Sequence, residues 1–263
     1  MYYIVQRNTF KEENYDHLVE ALERLELPYE IVDVFPFTDE IEIKTDRTDI
    51  FPFGSLKLAR ISKKLGWYPG SQMNENHDYL VYKDYYRDNL LNYDSKIIKF
   101  GDEDFFSVEP FFARPTKDTK VFTGQVFDME SWEKYRELKL TDGHSSLLDK
   151  NTDIQISSVK KIQKEIRFWI VKGEIVTASQ YKLGKRACCS EFVDIAAYDF
   201  CNDMINLFQL NESFVMDVCM CDYEYKIVEC GCINCAGFYH ADLQKLIMTL
   251  ENSYIFDQLN LEI

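Results

Sequence analysis

The stretch from Phe214 to Tyr239, FVMDVCMCDYEYKIVECGCINCAGFY, limits the folds open to this chain more than any other. It reads as two strands around a tight connection, then an irregular tail that leads into a helix. With the turn centred on Tyr223, Asp217 and Glu229 stand equally far from it and face each other on one side of the hairpin. Two carboxylates so placed lie within about 5 Å, which destabilises a sheet unless something neutralises them. A divalent cation suits that role, because hard ions such as magnesium take oxygens from one or two carboxylates and share the rest with water and phosphate. The opposite face carries Phe214, Met216, Val218, Val228 and Cys230 and is fit for a core. The alignment depends on register: a connection of even length slips the pairing by one residue and breaks it.

Around this hairpin, 263 residues are enough for one large or two small domains with a sizeable core. No run of about 18 apolar residues offers a membrane span. The start, MYYIVQRNTF, lacks the basic and apolar segments of a signal peptide, so the expected location is a cytosol. A net charge of −15 argues against a general nucleic-acid binder, whose affinity rests on basic residues, and speaks mainly of solubility.

All 8 cysteines fall between Cys188 and Cys235. The C-x-C and C-x-x-C spacings of Cys219, Cys221, Cys230, Cys232 and Cys235 are compatible with zinc. Cysteine is equally a small core residue in reducing compartments. In the register above, Cys219 and Cys230 point to opposite faces, which favours packing.

Taken in order, Tyr2 to Gln6 suits a buried strand, Asn14 to Leu25 has apolar residues at helical spacing, and Tyr29 to Val34 is again strand-like. This opening implies an α/β domain. Asp49 to Phe53 is a third strand, after which Gly54 and Ser55 either start a helix with Leu56, Ala59 and Ile61 inward or offer backbone amides to a ligand. Gly66 to Tyr79 reads as a loop. Lys96 to Phe100 is a strand, and the acidic GDEDFF after it marks a boundary near residue 102, dividing the chain into 1–102 and 103–263 with a cleft between. Hairpins follow: Phe111 to Arg114 with Lys120 to Phe127, then Asp153 to Ser158, Lys164 to Val171 and Ile175 to Leu183. Helices are expected at Met129 to Leu138, at Glu191 to Phe208 with Phe192, Ile195, Ala196, Asp199 and Met204 near the helical period, and at Ala241 to Leu250. The polar loop Thr141 to Lys150, with Gly143, His144 and Ser145, could close over phosphates.

Four cations sit in or beside apolar runs of the second half: Arg114, Lys120, Arg167 and Lys182. Cations so placed need partners. A triphosphate is one, met by the planar fork of arginine and the point charge of lysine. Structural carboxylates, or water reached by snorkelling, are the alternative.

The segments FFARPTKDTKVFTGQVF, KEIRFWIVKGEIVTASQYK and FVMDVCMCDYEYKIVECGCINCAGFYHAD resemble the successive motifs of the ATP-grasp enzymes. More narrowly, they resemble the phage and bacterial clade named for two arginines and a lysine at its nucleotide site. The likeness is densest from about Phe111 to Asp242. It implies an α/β N-terminal domain followed by an α+β ATP-grasp domain whose two subdomains clasp ATP. Arg114 and Lys120 would then hold phosphates, Glu165 and Arg167 would stand beyond a hinge whose connection Ser158 to Gln163 lies near adenine, and Lys182 would approach the phosphates or the reacting carboxylate. Arg167 and Lys182 are the residues expected in the chemistry. Asp217 and Glu229 would carry Mg2+, in agreement with the hairpin argument. Many ATP-grasp sequences have asparagine two residues after the metal-binding glutamate; here Gly231 stands there, and Asn234 is the available substitute ligand.

The implied activity is a magnesium-dependent, ADP-forming carboxylate–amine ligase working through an acyl phosphate on small-molecule or peptide substrates, in a host cytosol if the chain is phage-encoded. The alternative is a catalytically weakened nucleotide-binding regulatory or interaction protein. A zinc-dependent module is a third reading.

Overall fold

The three N-terminal strands, β1 (Tyr2–Gln6), β2 (Tyr29–Val32) and β3 (Ile50–Phe53), form a parallel sheet in the order β2-β1-β3. They belong to a computed structural model that describes residues 1–9, 12–35, 38–102, 109–117, 121–141 and 148–261. Parallel neighbours need crossovers, and α1 (Glu12–Arg24) provides the first. After β3 the chain enters α2 (Leu56–Leu65), capped by the Ser55 hydroxyl and stopped at Gly66, whose φ of 69° suits glycine. The inward residues of α2 are Leu58, Ala59 and Ile61, with Leu56 only half-buried.

The Gly54–Ser55 turn is a helix start, and its amides are already taken. Gly54 N–H donates to the Asn234 carbonyl (2.8 Å), and Ser55 N–H to Gln6 Oε1 (2.9 Å). A Cβ at Gly54 would lie 2.7 Å from the Gln6 Cβ, so this close approach requires glycine.

A helix that the sequence reading leaves unassigned, α3 (Tyr79–Tyr86), follows a 3-10 turn at Glu75–His77. It buries Tyr79, Tyr82 and Tyr86 against the second half of the chain. Next, β4 (Lys96–Lys99) corrects the expected boundary at residue 102. It pairs with β7 (Asp153–Ser158) in an antiparallel sheet ordered β4-β7-β5-β6, with β5 (Phe111–Pro115) and β6 (Gln125–Phe127). The first strand of this sheet thus comes from before the expected boundary and the other three from after it. Helix α4 (Met129–Thr141) packs Trp132 onto this sheet among Phe100, Phe111 and Phe127.

The second lobe is a five-stranded antiparallel sheet, β10-β9-β8-β11-β12, of β8 (Ile162–Val171), β9 (Glu174–Leu183), β10 (Arg186–Ser190), β11 (Ser213–Cys221) and β12 (Glu224–Cys232). Helix α5 (Ile195–Leu207) buries Ala197, Cys201, Met204 and Ile205 against it. The helix starts later than the expected Glu191, and of the residues expected at helical spacing Met204 is buried whereas Phe192, before the helix, and Ile195 are 84% and 79% exposed. Helix α6 (Leu243–Leu261) packs beside α1. No described helix is long and apolar enough to cross a membrane.

Alternation along β8 explains where the polar residues go. Ile166, Phe168 and Ile170 enter the core beneath α5, whereas Trp169 and Val171 join Tyr3, Phe51 and Phe53 of the N-terminal sheet. Glu165 and Arg167 continue the face of Trp169. The row of charge begins where the packing of the N-terminal sheet ends.

Candidate functional site

The hairpin register holds, but not for the expected reason. The connection has two residues, Asp222 and Tyr223, both with positive φ (51° and 67°), the signature of a tight two-residue hairpin turn. Such a turn slips the pairing by one, giving Val218 opposite Ile227. A β-bulge at Val228 restores it, so that Asp217 lies opposite Glu229. The same bulge sends Ile227, rather than Val228, into the core beneath α5.

On the other side Asp217 faces Arg167 of β8, and the two form a fork: Arg167 Nε donates to Oδ1 at 2.7 Å and Nη2 to Oδ2 at 2.8 Å. Arg167 Nη1 donates to the Gly237 carbonyl at 3.2 Å. Its guanidinium lies 5.1 Å from the ring centroid of Tyr239 and 5.8 Å from that of Tyr181, and these rings stack at 4.7 Å. Glu229 pairs with Arg114, which reaches across from β5 in the other lobe. Lys182 pairs with Glu165, whose second oxygen accepts from the Tyr181 hydroxyl at 2.7 Å. Each of these three cations therefore rests on a carboxylate of the same cluster.

Burial sets the electrostatics. It pushes the Asp217 carboxyl up, with Glu229 and Glu165 adding to the effect against the opposing pull of Arg167. For Arg167, burial opposes the charge, but the Asp217 carboxylate overrides it and the net direction is upward. Burial, then Asp217 and Glu165, raise Tyr181 well above the usual phenol range, so it remains a neutral donor.

Between the lobes opens a cleft of about 890 Å³, bordered by Arg114, Glu165, Lys182 and Glu229 and by the connection from Ser158 to Ile162. Lys117, Lys160, Lys161 and Lys185 also line it, a concentration of cations in a chain of net charge −15. A second, water-sized cavity of about 30 Å³ adjoins Arg167, Asp217, Glu229 and Gly231. Among the described residues no three His, Cys, Asp or Glu side chains are grouped as a metal centre. The opposed pair Asp217 and Glu229 fits an ion that takes its remaining oxygens from water and phosphate.

Asn234 is the expectation to correct. Its amide is 1% exposed and committed elsewhere: Nδ2 donates to the carbonyls of Pro52 (2.8 Å) and Gly70 (3.3 Å), and Oδ1 accepts from the backbone N–H of Gln72 (2.7 Å). These bonds fasten the end of β12 to the N-terminal unit. Lys120, Gly143, His144 and Ser145 lie outside the described residues. Tyr181 and Tyr239 were missed by sequence reading, since SQYKLG and GFYHAD show only aromatic residues beside polar ones.

The cysteines do not converge. Cys201, on the buried face of α5, and Cys230 share the core under that helix, while Cys219 and Cys221 pack with Leu91. Burial pushes the Cys219 thiol up to about 12 and the Cys201 and Cys230 thiols up as well, so all three are protonated near neutrality. An Ellman titration of the native protein is expected to register the exposed Cys188 and Cys189 at once, and Cys201, Cys219 and Cys230 only after unfolding.

Comparison with known proteins adds three findings. The model of an ATP-grasp domain, family 3 of the clade named for two arginines and a lysine, matches residues 58–250. No curated protein matches the sequence. Among solved structures, D-alanine–D-alanine ligase from Bacillus anthracis complexed with ATP is similar at 13% identity over 99% of both chains, with a TM-score of 0.59. A RimK domain ATP-grasp protein from Sphaerobacter thermophilus is 12% identical over 93% of this chain and 92% of that one, with a TM-score of 0.59. The ATP-grasp ligase PsnB complexed with minimal precursor is 12% identical over 96% and 98%, with a TM-score of 0.55. At these identities the likeness concerns the fold.

Proposed function

This chain belongs to the ATP-grasp family, in the clade named for two arginines and a lysine, and has the ATP-grasp fold; on that premise we propose that it is an ATP-dependent carboxylate–amine ligase working through an acyl phosphate. The observation that carries the reading is the cationic cleft of about 890 Å³ bordered by the Arg114, Lys182 and Glu229 side chains, with Arg167 and Asp217 in the next position of the same sheet row. Ser158–Ile162 would border the base of ATP in the cleft, and Arg114 and Lys182 would meet its phosphates. Asp217 and Glu229 would hold Mg2+, which when bound would supply neutralisation of phosphate charge.

A carboxylate oxygen of the first substrate attacks the γ-phosphorus, the bond from that phosphorus to the β,γ-bridging oxygen breaks, and ADP leaves. An amine then attacks the acyl carbon, phosphate departs, and the nitrogen loses a proton to give the amide. The protein positions and neutralises rather than forming a covalent bond. Arg114 rests on Glu229 and Lys182 on Glu165; phosphate oxygens would replace those partners, which would leave the Glu229 oxygens open to the ion. Arg167, held by Asp217 and Gly237, lends its charge to the reacting carboxylate. PsnB, an ATP-grasp ligase also solved with a precursor peptide, supports small-molecule or peptide carboxylates and amines as the substrate class.

Incubation with ATP, Mg2+ and pooled amino acids and peptides is expected to release ADP and phosphate in equal amounts. ATP binding with no turnover across the pool would favour a second reading, a nucleotide-binding regulatory protein. That reading draws on Asn234, whose engaged amide leaves two carboxylates for the metal.

A further inference from the structure

The ladder between β8 and β9 is interrupted next to the charged row. Arg167 pairs with Ser179 and Ile166 with Gln180, but Glu165 pairs with Lys182, so Tyr181 is an extra residue with no partner of its own in the ladder. A regular strand sends neighbouring side chains to opposite faces. Here the bulge lets two consecutive residues reach one carboxylate: Lys182 Nζ meets Glu165 Oε1, and the Tyr181 hydroxyl donates to Oε2 at 2.7 Å. The same hydroxyl lies 3.3 Å from Asp217 Oδ2, on the carboxylate that Arg167 grips. The single phenol proton is thus shared, mainly on Glu165, between two acids that would otherwise repel, and its ring is held flat by Tyr239 at 4.7 Å and 11°. Tyr239 itself occupies the left-handed region at φ 51°, with its backbone N–H tied to Asn14 Oδ1 at 3.0 Å.

We infer that Tyr181 is a positioning residue: its hydroxyl links the Lys182–Glu165 pair on the phosphate side to the Arg167–Asp217 pair on the metal side, and holds Asp217 in the orientation that receives the ion. The inference rests on the ligase reading, and it predicts how two halves of the site depend on each other. When Lys182 turns to a phosphate, Glu165 loses its cation and keeps the phenol donor. Glu165 then stays in place instead of crowding Asp217. Tyr181 borders the cleft but adds no charge to it, so loss of its hydroxyl should be felt in metal affinity and turnover and little in nucleotide affinity.

The test is Tyr181→Phe, which keeps the stacked ring and removes the bridge. Mg2+ is titrated calorimetrically into protein saturated with the non-hydrolysable β,γ-imido analogue of ATP, so that no turnover is needed. The half-saturating Mg2+ concentration is expected to rise about tenfold, in the range found when the outer partner of a metal ligand is removed. In steady state kcat should fall by about the same factor while KM for ATP stays within about twofold. Analogue binding by both proteins with the same Mg2+ dependence overturns the role of Tyr181 and leaves the ligase reading standing. A wild-type protein that binds no analogue overturns that reading and the inference together. Should Tyr181→Phe fail to fold by circular dichroism, Glu165→Gln weakens the bridge from its other end. A rise in its Mg2+ requirement supports the inference, and an unchanged requirement overturns it.

Discussion

Glu229→Gln is expected to cut ATP turnover by about 100- to 1000-fold at an unchanged melting temperature, the size of loss seen when one preorganised charge-stabilising group is removed. Asp217→Asn is expected to lose turnover to at least the same degree and to melt earlier as well. The difference lies in burial, since the Asp217 side chain is 3% exposed and that of Glu229 is 29% exposed. Glutamine at 229 still offers Arg114 an oxygen, and water reaches both groups. Asparagine at 217 leaves the Arg167 guanidinium buried without its counter-charge, and breaking a buried pair from one side costs about 3–5 kcal/mol. ADP release with MgATP and a productive acceptor, set beside thermal melting of both variants, measures the two effects separately. Function that survives Asp217→Asn with nucleotide binding intact would point instead to the regulatory reading.

The pairing of cations with carboxylates gives these variants their meaning. Arg114, Arg167 and Lys182 all rest on carboxylates, which is the structural alternative that the sequence left open for each of them. The partners, however, are the residues suited to a metal and its surroundings, so the pairing keeps both sets of charges neutralised until phosphate takes over Arg114 and Lys182, while Arg167 stays on Asp217. Buried ions left unpaired in the meantime would cost several kcal/mol each.

The sequence made the site legible where local rules suffice. Asp217 and Glu229 could be opposed on paper because a hairpin pairs residues around its turn, and Arg167 stood out as a cation in an apolar run. Bulges are not written in that pattern. The two-residue turn at Asp222–Tyr223 and the extra residue at Val228 cancel each other, so the right pair emerged from a turn centred on the wrong residue. Tyr181 stayed hidden because only its bulge brings it beside Lys182 on one carboxylate. Long-range pairing was equally invisible: β4 joins β7 more than fifty residues later, which no composition shift near residue 102 announces. On α5, the residues at helical spacing mixed buried Met204 with exposed Ile195, and tertiary packing chose the face of Ala197, Cys201 and Met204.

Asn234 provides the sharpest separation of structural and metal-binding roles. Asn234→Ala is expected to destabilise the protein by about 3 kcal/mol or more, because the Pro52 and Gly70 carbonyls and the Gln72 N–H lose their partner in a buried place. In a chain of this size that lowers the melting temperature by about 5–10 °C. Asn234→Asp should be at least as damaging, since a carboxylate would set an oxygen against carbonyls that now accept from Nδ2. A metal ligand would behave in the opposite way: aspartate would preserve or tighten Mg2+ binding and spare the fold. Melting curves, together with Mg2+ titration of the folded fraction at a temperature below both transitions, distinguish the two. The expected result is a large thermal loss with the Mg2+ half-saturation of the wild type. That outcome would leave Asp217 and Glu229 as the protein's own ligands and Asn234 as the fastening that keeps β12, and Glu229 with it, in register with the N-terminal unit.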